Sequence, residues 1–370
     1  MTHGGLDWQR GHSNDVMPWE ILEPSLQYFL NRCEAAPSPA VSFYGGEPLL
    51  AGEMLKRGCV FIREHADRPD LRIIIDTNGL MLEHEAMMDL VIQHEVHLQV
   101  SLDGPPDIHD RHRVDVVNRP THTRIMAGLE ALVDKSPAVL DRLRFQVTVV
   151  DARDLVSVAD WFAELPWFVG GPAPTLGLNM ADLRGAPGDL RGKGSNGEEA
   201  RQELWRRHLS ALVRGERGDP VSRALFEAPL ISYFHRSRRQ QGDVLSPAGF
   251  CRMGERRLHV TVDGMFQPCE RVGSSLKIGD VDRGWNSERV DALERRFCEA
   301  MKERCLGCWA QRLCAVCATS LAPTNGVDGS IPVEVCEGVR ERTEETFRLW
   351  LDLVEAGGEA ARFLETSVVR

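Results

Sequence analysis

Cysteine is where this sequence concentrates its chemistry. Of ten cysteines, only Cys33 and Cys59 lie before residue 250, and the other eight crowd between 251 and 336. Their spacing is Cys251, twelve residues, Gly264, four residues, Cys269; then Cys305-x2-Cys308-x5-Cys314-x2-Cys317; then Cys336. Seven thiolates suit one complete 4Fe-4S cluster, which takes four, and a second with one position open or filled by another group. Zinc is the rival occupant, although zinc ribbons separate their Cys-x2-Cys pairs by about 15–20 residues and here five intervene. Plain buried thiols are the third reading, and the one we give Cys33, Cys59 and Cys298, because free cysteine packs as a small hydrophobe.

Composition limits the setting of this chemistry. The 370 residues are 42% hydrophobic, enough for one large α/β domain or two ordinary ones. A formal net charge of −11 argues against nonspecific attraction to nucleic acid or an anionic membrane. No apolar run approaches the roughly eighteen residues of a membrane span, and the polar start Met1-Thr2-His3-Gly4-Gly5 does not read as a signal peptide. The expected location is the cytoplasm, where thiols stay reduced and cysteines serve as ligands rather than disulfides.

The elements that would position a site alternate from Ala40 to about Met180. Strands are expected at Val41 to Tyr44, Leu71 to Asp76, Val96 to Leu102, Leu143 to Val150 and Thr175 to Met180. Helical spacing falls between them, at Gly52 to His65, Glu83 to Gln93, Thr121 to Val133 and Leu155 to Leu165. This is the pattern of βα units around a parallel sheet. The first three strands end in Gly45-Gly46-Glu47-Pro48, Thr77-Asn78-Gly79 and Asp103-Gly104-Pro105-Pro106, and ligands collect at such strand ends in parallel α/β folds. Residues 184 to 199, rich in glycine and charge, read as a connector or lid. Helical periodicity resumes over Glu198 to Val213 and Ser222 to His235, and again over Val339 to Val354.

Together these motifs resemble the radical S-adenosylmethionine (SAM) enzymes with a C-terminal SPASM domain, among them anaerobic sulfatase-maturating enzymes and peptide maturases. The resemblance spans nearly all of the chain. It implies an α/β fold with a partial (β/α)6 barrel missing its first strand, over 1–183, followed by a linker and helical connection over 184–249. A small cysteine-rich SPASM domain would follow over 250–340, then a terminal helix and tail over 341–370. By position, Cys251, Cys269 and Cys317 would serve one auxiliary 4Fe-4S cluster, and Cys305, Cys308, Cys314 and Cys336 the other. The x2 spacing before Cys317 departs from the family's x3. Gly45, Gly46, Glu47 and Pro48 match the segment that meets the SAM amino group. A glycine backbone lets a ligand approach closely, and a carboxylate suits an ammonium. Asn78, Ser101 and Asp103 fall at the next two strand ends, as contacts to methionyl and ribose groups. Glu270, after Cys269, falls where sulfatase-maturating relatives carry an aspartate base, and an exposed solvated glutamate is the equally weighted alternative. His109 and His112 offer a less favoured metal site.

The function implied is modification of a peptide or protein side chain by 5′-deoxyadenosyl radical hydrogen abstraction, with anaerobic sulfatase maturation as one version. A flavodoxin or ferredoxin would donate electrons. Radical SAM chemistry also needs a Cys-x3-Cys-x2-Cys loop for its own 4Fe-4S cluster, and the 370 residues contain none. Arg10 to Glu20 resembles the family's segment just after that loop, so the motif is expected immediately before Met1, removed by a miscalled start or truncation rather than lost. The rival from another class is a noncatalytic iron-sulfur or zinc protein that binds a peptide.

Overall fold

The computed structural model describes residues 15–169, 173–181, 197–235, 253–254, 256–270, 272, 276–314, 316 and 333–366. Two compact units divide the described residues: one runs from Phe29 to Ala228 with Gly358–Ala360, and the other holds those from Asp15 to Tyr28, from Pro229 to Gly357 and from Ala361 onwards.

The first unit is an α/β layer built on five parallel strands, β1 (Ala40–Phe43), β2 (Arg72–Thr77), β3 (His97–Ser101), β4 (Leu143–Val149) and β5 (Thr175–Met180), in the order β1-β2-β3-β4-β5. All five fall where the alternation predicts them. One face of the sheet is apolar and fully buried, with Ile73, Ile75, Leu98, Val100, Phe145 and Val147 each no more than 1% exposed. Helices cover that face, and Phe145 stands 5.4 Å from Phe162 of the helix Leu155–Glu164. Burying these side chains is the main stabilising term of the unit, about 1.5–3 kcal/mol for each large apolar residue.

The opposite face is unusual for a parallel sheet, whose strands commonly read as continuous apolar runs. It carries Asp76, Gln99, Ser101, Arg144, Gln146 and Thr148 at alternate positions, all half-buried or exposed. Gln146 donates to Gln99 Oε1 across the strands at 2.6 Å. A polar sheet face is where a ligand can lie.

In the second unit the cysteine-bearing segment contains an element that spacing did not predict, a four-stranded antiparallel sheet of β6 (His259–Val260), β7 (Met265–Gln267), β8 (Gly279–Asp280) and β9 (Gly284–Trp285). Strands this short give no periodicity. Helix α1 (Trp19–Leu30), also unpredicted, brings Tyr28 to this sheet. Its ring lies 4.9 Å from Phe266 and its hydroxyl accepts from Trp285 N at 3.1 Å. Phe266, Met253, Ile278 and Val290 form the core there. Two long helices come next, α2 (Ser287–Cys305) and α3 (Val333–Ala356).

Candidate functional site

Two carboxylates fasten the strand-end turns: Glu47 ties the turn after β1 to the turn after β2, and Asp103 ties the turn after β3 to β4. Gly45 and Gly46, after β1, have φ of 107° and 49°, and no atom lies within 4 Å of where a Cβ would stand on either. This backbone is left-handed, which favours glycine, and it is open to a ligand. Pro48 is buried and starts the 3-10 turn Pro48–Ala51 that Glu47 caps. Glu47 turns inward: Oε1 accepts from Leu49 N at 3.1 Å and from Thr77 Oγ1 at 2.7 Å, and Oε2 accepts from Asn78 N at 2.7 Å. Burial pushes the Glu47 carboxyl above its usual range, against the pull of those three donors. A carboxylate has about four lone-pair sites, so one remains for an incoming ammonium.

Asn78 and Ser101 come directly after the paired residues Thr77 and Val100 and so stand side by side, one rung further on, at the carboxyl ends of β2 and β3. Asn78 Oδ1 is held by Leu80 N at 2.9 Å, which aims the side-chain amide. Both residues are half-buried on the polar face. The second carboxylate, Asp103, is 4% exposed with both oxygens bound to the protein: Oδ2 accepts from Arg113 Nε at 2.5 Å, and Oδ1 accepts from Thr148 N of β4 at 2.8 Å. Asp103 therefore positions the turn after β3 rather than presenting a free carboxylate to a ligand.

His109 completes this brace and fixes its own tautomer. Asp103 N donates to Nδ1 at 3.1 Å, and Thr121 Oγ1, which donates to Arg113 O at 2.7 Å, is left to accept from Nε2–H at 3.0 Å. Both ring nitrogens are thus used, which argues against a metal held by His109 and His112. Burial, the largest cause, lowers its pKa to about 4, so the imidazole is neutral. Asp110 Oδ1 accepts from Thr121 N and His122 N, at 2.8 and 3.0 Å, and anchors the start of the next helix. Arg113 and Thr148 were not singled out in the sequence, and spacing alone offers no signal for partners 10 to 45 residues apart.

In the second unit, four of the seven cysteine ligands expected from spacing converge. Successive turns carry the chain through them: Cys308 N donates to Cys305 O, Gln311 N to Cys308 O and Cys314 N to Gln311 O. Cys336 sits in the first turn of α3. Cys305, Cys314 and Cys336 share one apolar cluster with Phe297, Met301, Val316 and Val339. Burial first, and then the neighbouring Cys314, Cys336 and Cys308, push the Cys305 thiol up to about 11. Yet no three described His, Cys, Asp or Glu side chains close tightly enough around a point to hold a single metal ion.

Cys269 is half-buried at the end of the β6–β7 hairpin. Glu270 is the next residue, with Arg257 Nη1 3.4 Å from its Oε1. His259 lies close enough to feel the Glu270 charge, and burial holds its pKa below the usual range. Cys251 and Cys317 lie outside the described residues, as do the connector at 184–196 and the segment Arg10 to Asn14.

No protein-family model matches the chain. It is 30% identical over 127 residues to an uncharacterized protein of Synechocystis, covering 33% of this chain and 32% of the relative. It is 28% identical over 165 residues to the cysteine-type anaerobic sulfatase-maturating enzyme of Clostridium perfringens, 44% of this chain and 43% of that one. The serine-type enzyme of Bacteroides thetaiotaomicron matches at 26% over 118 residues, 32% and 28% of the two chains. The matched stretches thus span less than half of each relative. Among solved structures, native anSMEcpe with bound AdoMet aligns at a TM-score of 0.69 and 20% identity over 94% of this chain and 93% of that chain. The same protein with AdoMet and the Kp18Cys peptide aligns at 0.67 and 20%, over 91% of each.

The class defined by fold and strand-end turns is that of the α/β proteins sharing the anSMEcpe fold. Within it, the chain is similar to the radical SAM/SPASM maturases, and its named relatives are anaerobic sulfatase-maturating enzymes.

Proposed function

We propose that this chain is a radical SAM/SPASM maturase that modifies a peptide or protein side chain. The observation that carries the reading is the brace at the carboxyl end of the sheet, where Glu47 joins the turns after β1 and β2 and Asp103 holds the turn after β3 to β4. SAM would supply hydrogen abstraction only with a reducing 4Fe-4S cluster, whose Cys-x3-Cys-x2-Cys loop these 370 residues lack, so the chain as given would bind SAM without cleaving it. The chain's own part is binding and orientation. Gly45 and Gly46 admit the ligand backbone to backbone, Glu47 offers its remaining lone pair to an ammonium, and Asn78 and Ser101 offer a side-chain amide and a hydroxyl. Both carboxylates are tied to strands, so the donors are set before a ligand arrives.

Cys305, Cys308, Cys314 and Cys336 would hold one auxiliary 4Fe-4S cluster, and Cys251, Cys269 and Cys317 a second. Glu270, held by Arg257, would take a proton from the substrate beside Cys269. The relatives named as sulfatase-maturating enzymes support a cysteine or serine side chain as target, and the peptide in the neighbouring structure supports a peptide partner. A flavodoxin or ferredoxin would donate electrons.

The test is anaerobic reconstitution of the chain, then iron and sulfide counting and equilibrium binding of SAM. The expected result is roughly eight irons without zinc, and SAM affinity reduced about tenfold or more in Asn78→Ala and Ser101→Ala. Zinc in place of iron, or SAM affinity indifferent to both substitutions, would overturn the reading.

A further inference from the structure

The amino ends of the strands on the polar face gather positive charge that the strand-end turns do not use. His97 opens β3, and Arg144, near the start of β4, pairs with Gln99. Arg142 stands two residues before Arg144, and Arg72 opens β2. Burial first, and then the nearby guanidiniums of Arg72 and Arg142, lower the pKa of the His97 imidazole. Arg72 donates to Ser38 Oγ at 2.8 Å, Arg142 Nε is buried without a hydrogen-bond partner, and Arg144 is exposed. Among the described residues, no carboxylate pairs with any of the three.

A glycine completes the arrangement. A Cβ on Gly177, in the neighbouring strand, would fall 2.6 Å from Arg144 Nη2 and 2.6 Å from Gln146 Oε1. A side chain there would displace both groups. Without one, the Arg144 guanidinium edge lies down over the β5 backbone beside the Gln146 amide oxygen. Gln146 spends its nitrogen on Gln99.

We infer that Arg72, Arg142 and Arg144 form a docking site for an acidic stretch of the peptide substrate, with Arg144 as the outermost contact. The inference rests on the proposed reading that the substrate is a peptide. Carboxylates fit guanidinium forks two bonds at a time. A chain of net charge −11 repels long polyanions such as nucleic acid, whereas a local basic cluster still attracts a short acidic segment.

The experiment measures fluorescence anisotropy of a labelled peptide of alternating glutamate and glycine, and of its glutamine–glycine counterpart, on the reconstituted full chain. The acidic peptide should bind the more tightly, with an affinity that falls as salt rises. Arg144→Glu should weaken it about tenfold, because an exposed attraction becomes a repulsion, and should leave the neutral peptide unchanged. SAM binding by the same preparation should persist. If Arg144→Glu also loses SAM binding, Gly177→Ala decides instead, by pushing the guanidinium aside and weakening the acidic peptide severalfold. Equal binding of the two peptides to the wild type overturns the docking site. An unchanged acidic-peptide affinity in both variants, with SAM still bound, overturns it as well and leaves the strand-end reading standing.

Discussion

Replacing Asp103 by alanine should damage the site through the sheet rather than through lost ligand contact. The carboxylate and its partner Arg113 are 4% and 8% exposed, so truncation leaves a guanidinium buried without a counter-ion. Breaking a buried pair from one side costs about 3–5 kcal/mol. Thr148 N also loses its acceptor, about 1–3 kcal/mol more for an unsatisfied backbone donor. The two losses share one space and do not sum fully, so about 4–6 kcal/mol is expected, against a total stability on the order of 5–15 kcal/mol. Removing both charges in Asp103→Leu with Arg113→Met should cost far less than the two single changes together. Only the Thr148 donor then stays unpaired, at about 1–3 kcal/mol. Denaturant unfolding of the four species closes the cycle, and hydrogen exchange over residues 143–149 reads the Thr148 amide directly. If the double variant costs the sum of the singles to within about 0.5 kcal/mol, the pair is not coupled and the brace is wrong.

Two further outcomes concern buried groups. Glu47→Gln keeps one oxygen for Thr77 and Leu49 but sets an amide against Asn78 N, a loss of about 1–3 kcal/mol measurable by urea titration. Because the folded Glu47 binds its proton more tightly than the unfolded chain does, wild-type stability rises as pH falls through the raised pKa towards 4.5. Glutamine lacks that gain, so the deficit should widen on acidification. His208, fully buried with neither ring nitrogen hydrogen-bonded, has its pKa lowered to about 4 by burial. The unfolded chain takes up this proton first, so stability is lost as pH falls from about 6.5 to 4, by roughly 3 kcal/mol in full. His208→Leu should be neutral or stabilising at pH 7 and should flatten that acid limb in thermal melts. Destabilisation by more than about 1 kcal/mol at pH 7 would show that the ring has a partner.

Legibility in the sequence depended on period. The strands of the first unit announce themselves by short β-rich runs, Ile73 to Ile75 in β2 and Leu98, Val100, Phe145 and Val147 alternating with polar residues in β3 and β4. The glycines at 45 and 46 mark a turn by type alone. Helix α1 was missed although it brings Tyr28 to Trp285, 257 residues away. Pro24 interrupts its pattern, and its packing partner is invisible locally. The short strands β6 to β9 could not be seen at two or three residues each. Residue type pointed to Glu47 and Asp103, but not to the direction of their carboxylates. That direction depends on Thr77, Arg113 and Thr148, and partner choice at such range is a property of the folded sheet.

The direction of those carboxylates changes how the motif works. A glutamate and an aspartate at strand ends read at first as ligand contacts, yet most of their lone pairs are taken by the protein. A charged group aimed at a ligand but loosely held must be ordered at the moment of binding, which costs affinity. Here that ordering is done during folding, with two carboxylates desolvated in exchange for backbone N–H, hydroxyl and guanidinium donors. Beside the one remaining Glu47 lone pair, the groups left to meet a ligand are then small and neutral, the Asn78 amide, the Ser101 hydroxyl and the open backbone of Gly45 and Gly46. Such a surface discriminates by shape and hydrogen-bond direction more than by net charge. It follows that the acidic variants with the largest effect on stability, at Asp103 and Glu47, need not be those with the largest direct effect on ligand affinity, at Asn78 and Ser101.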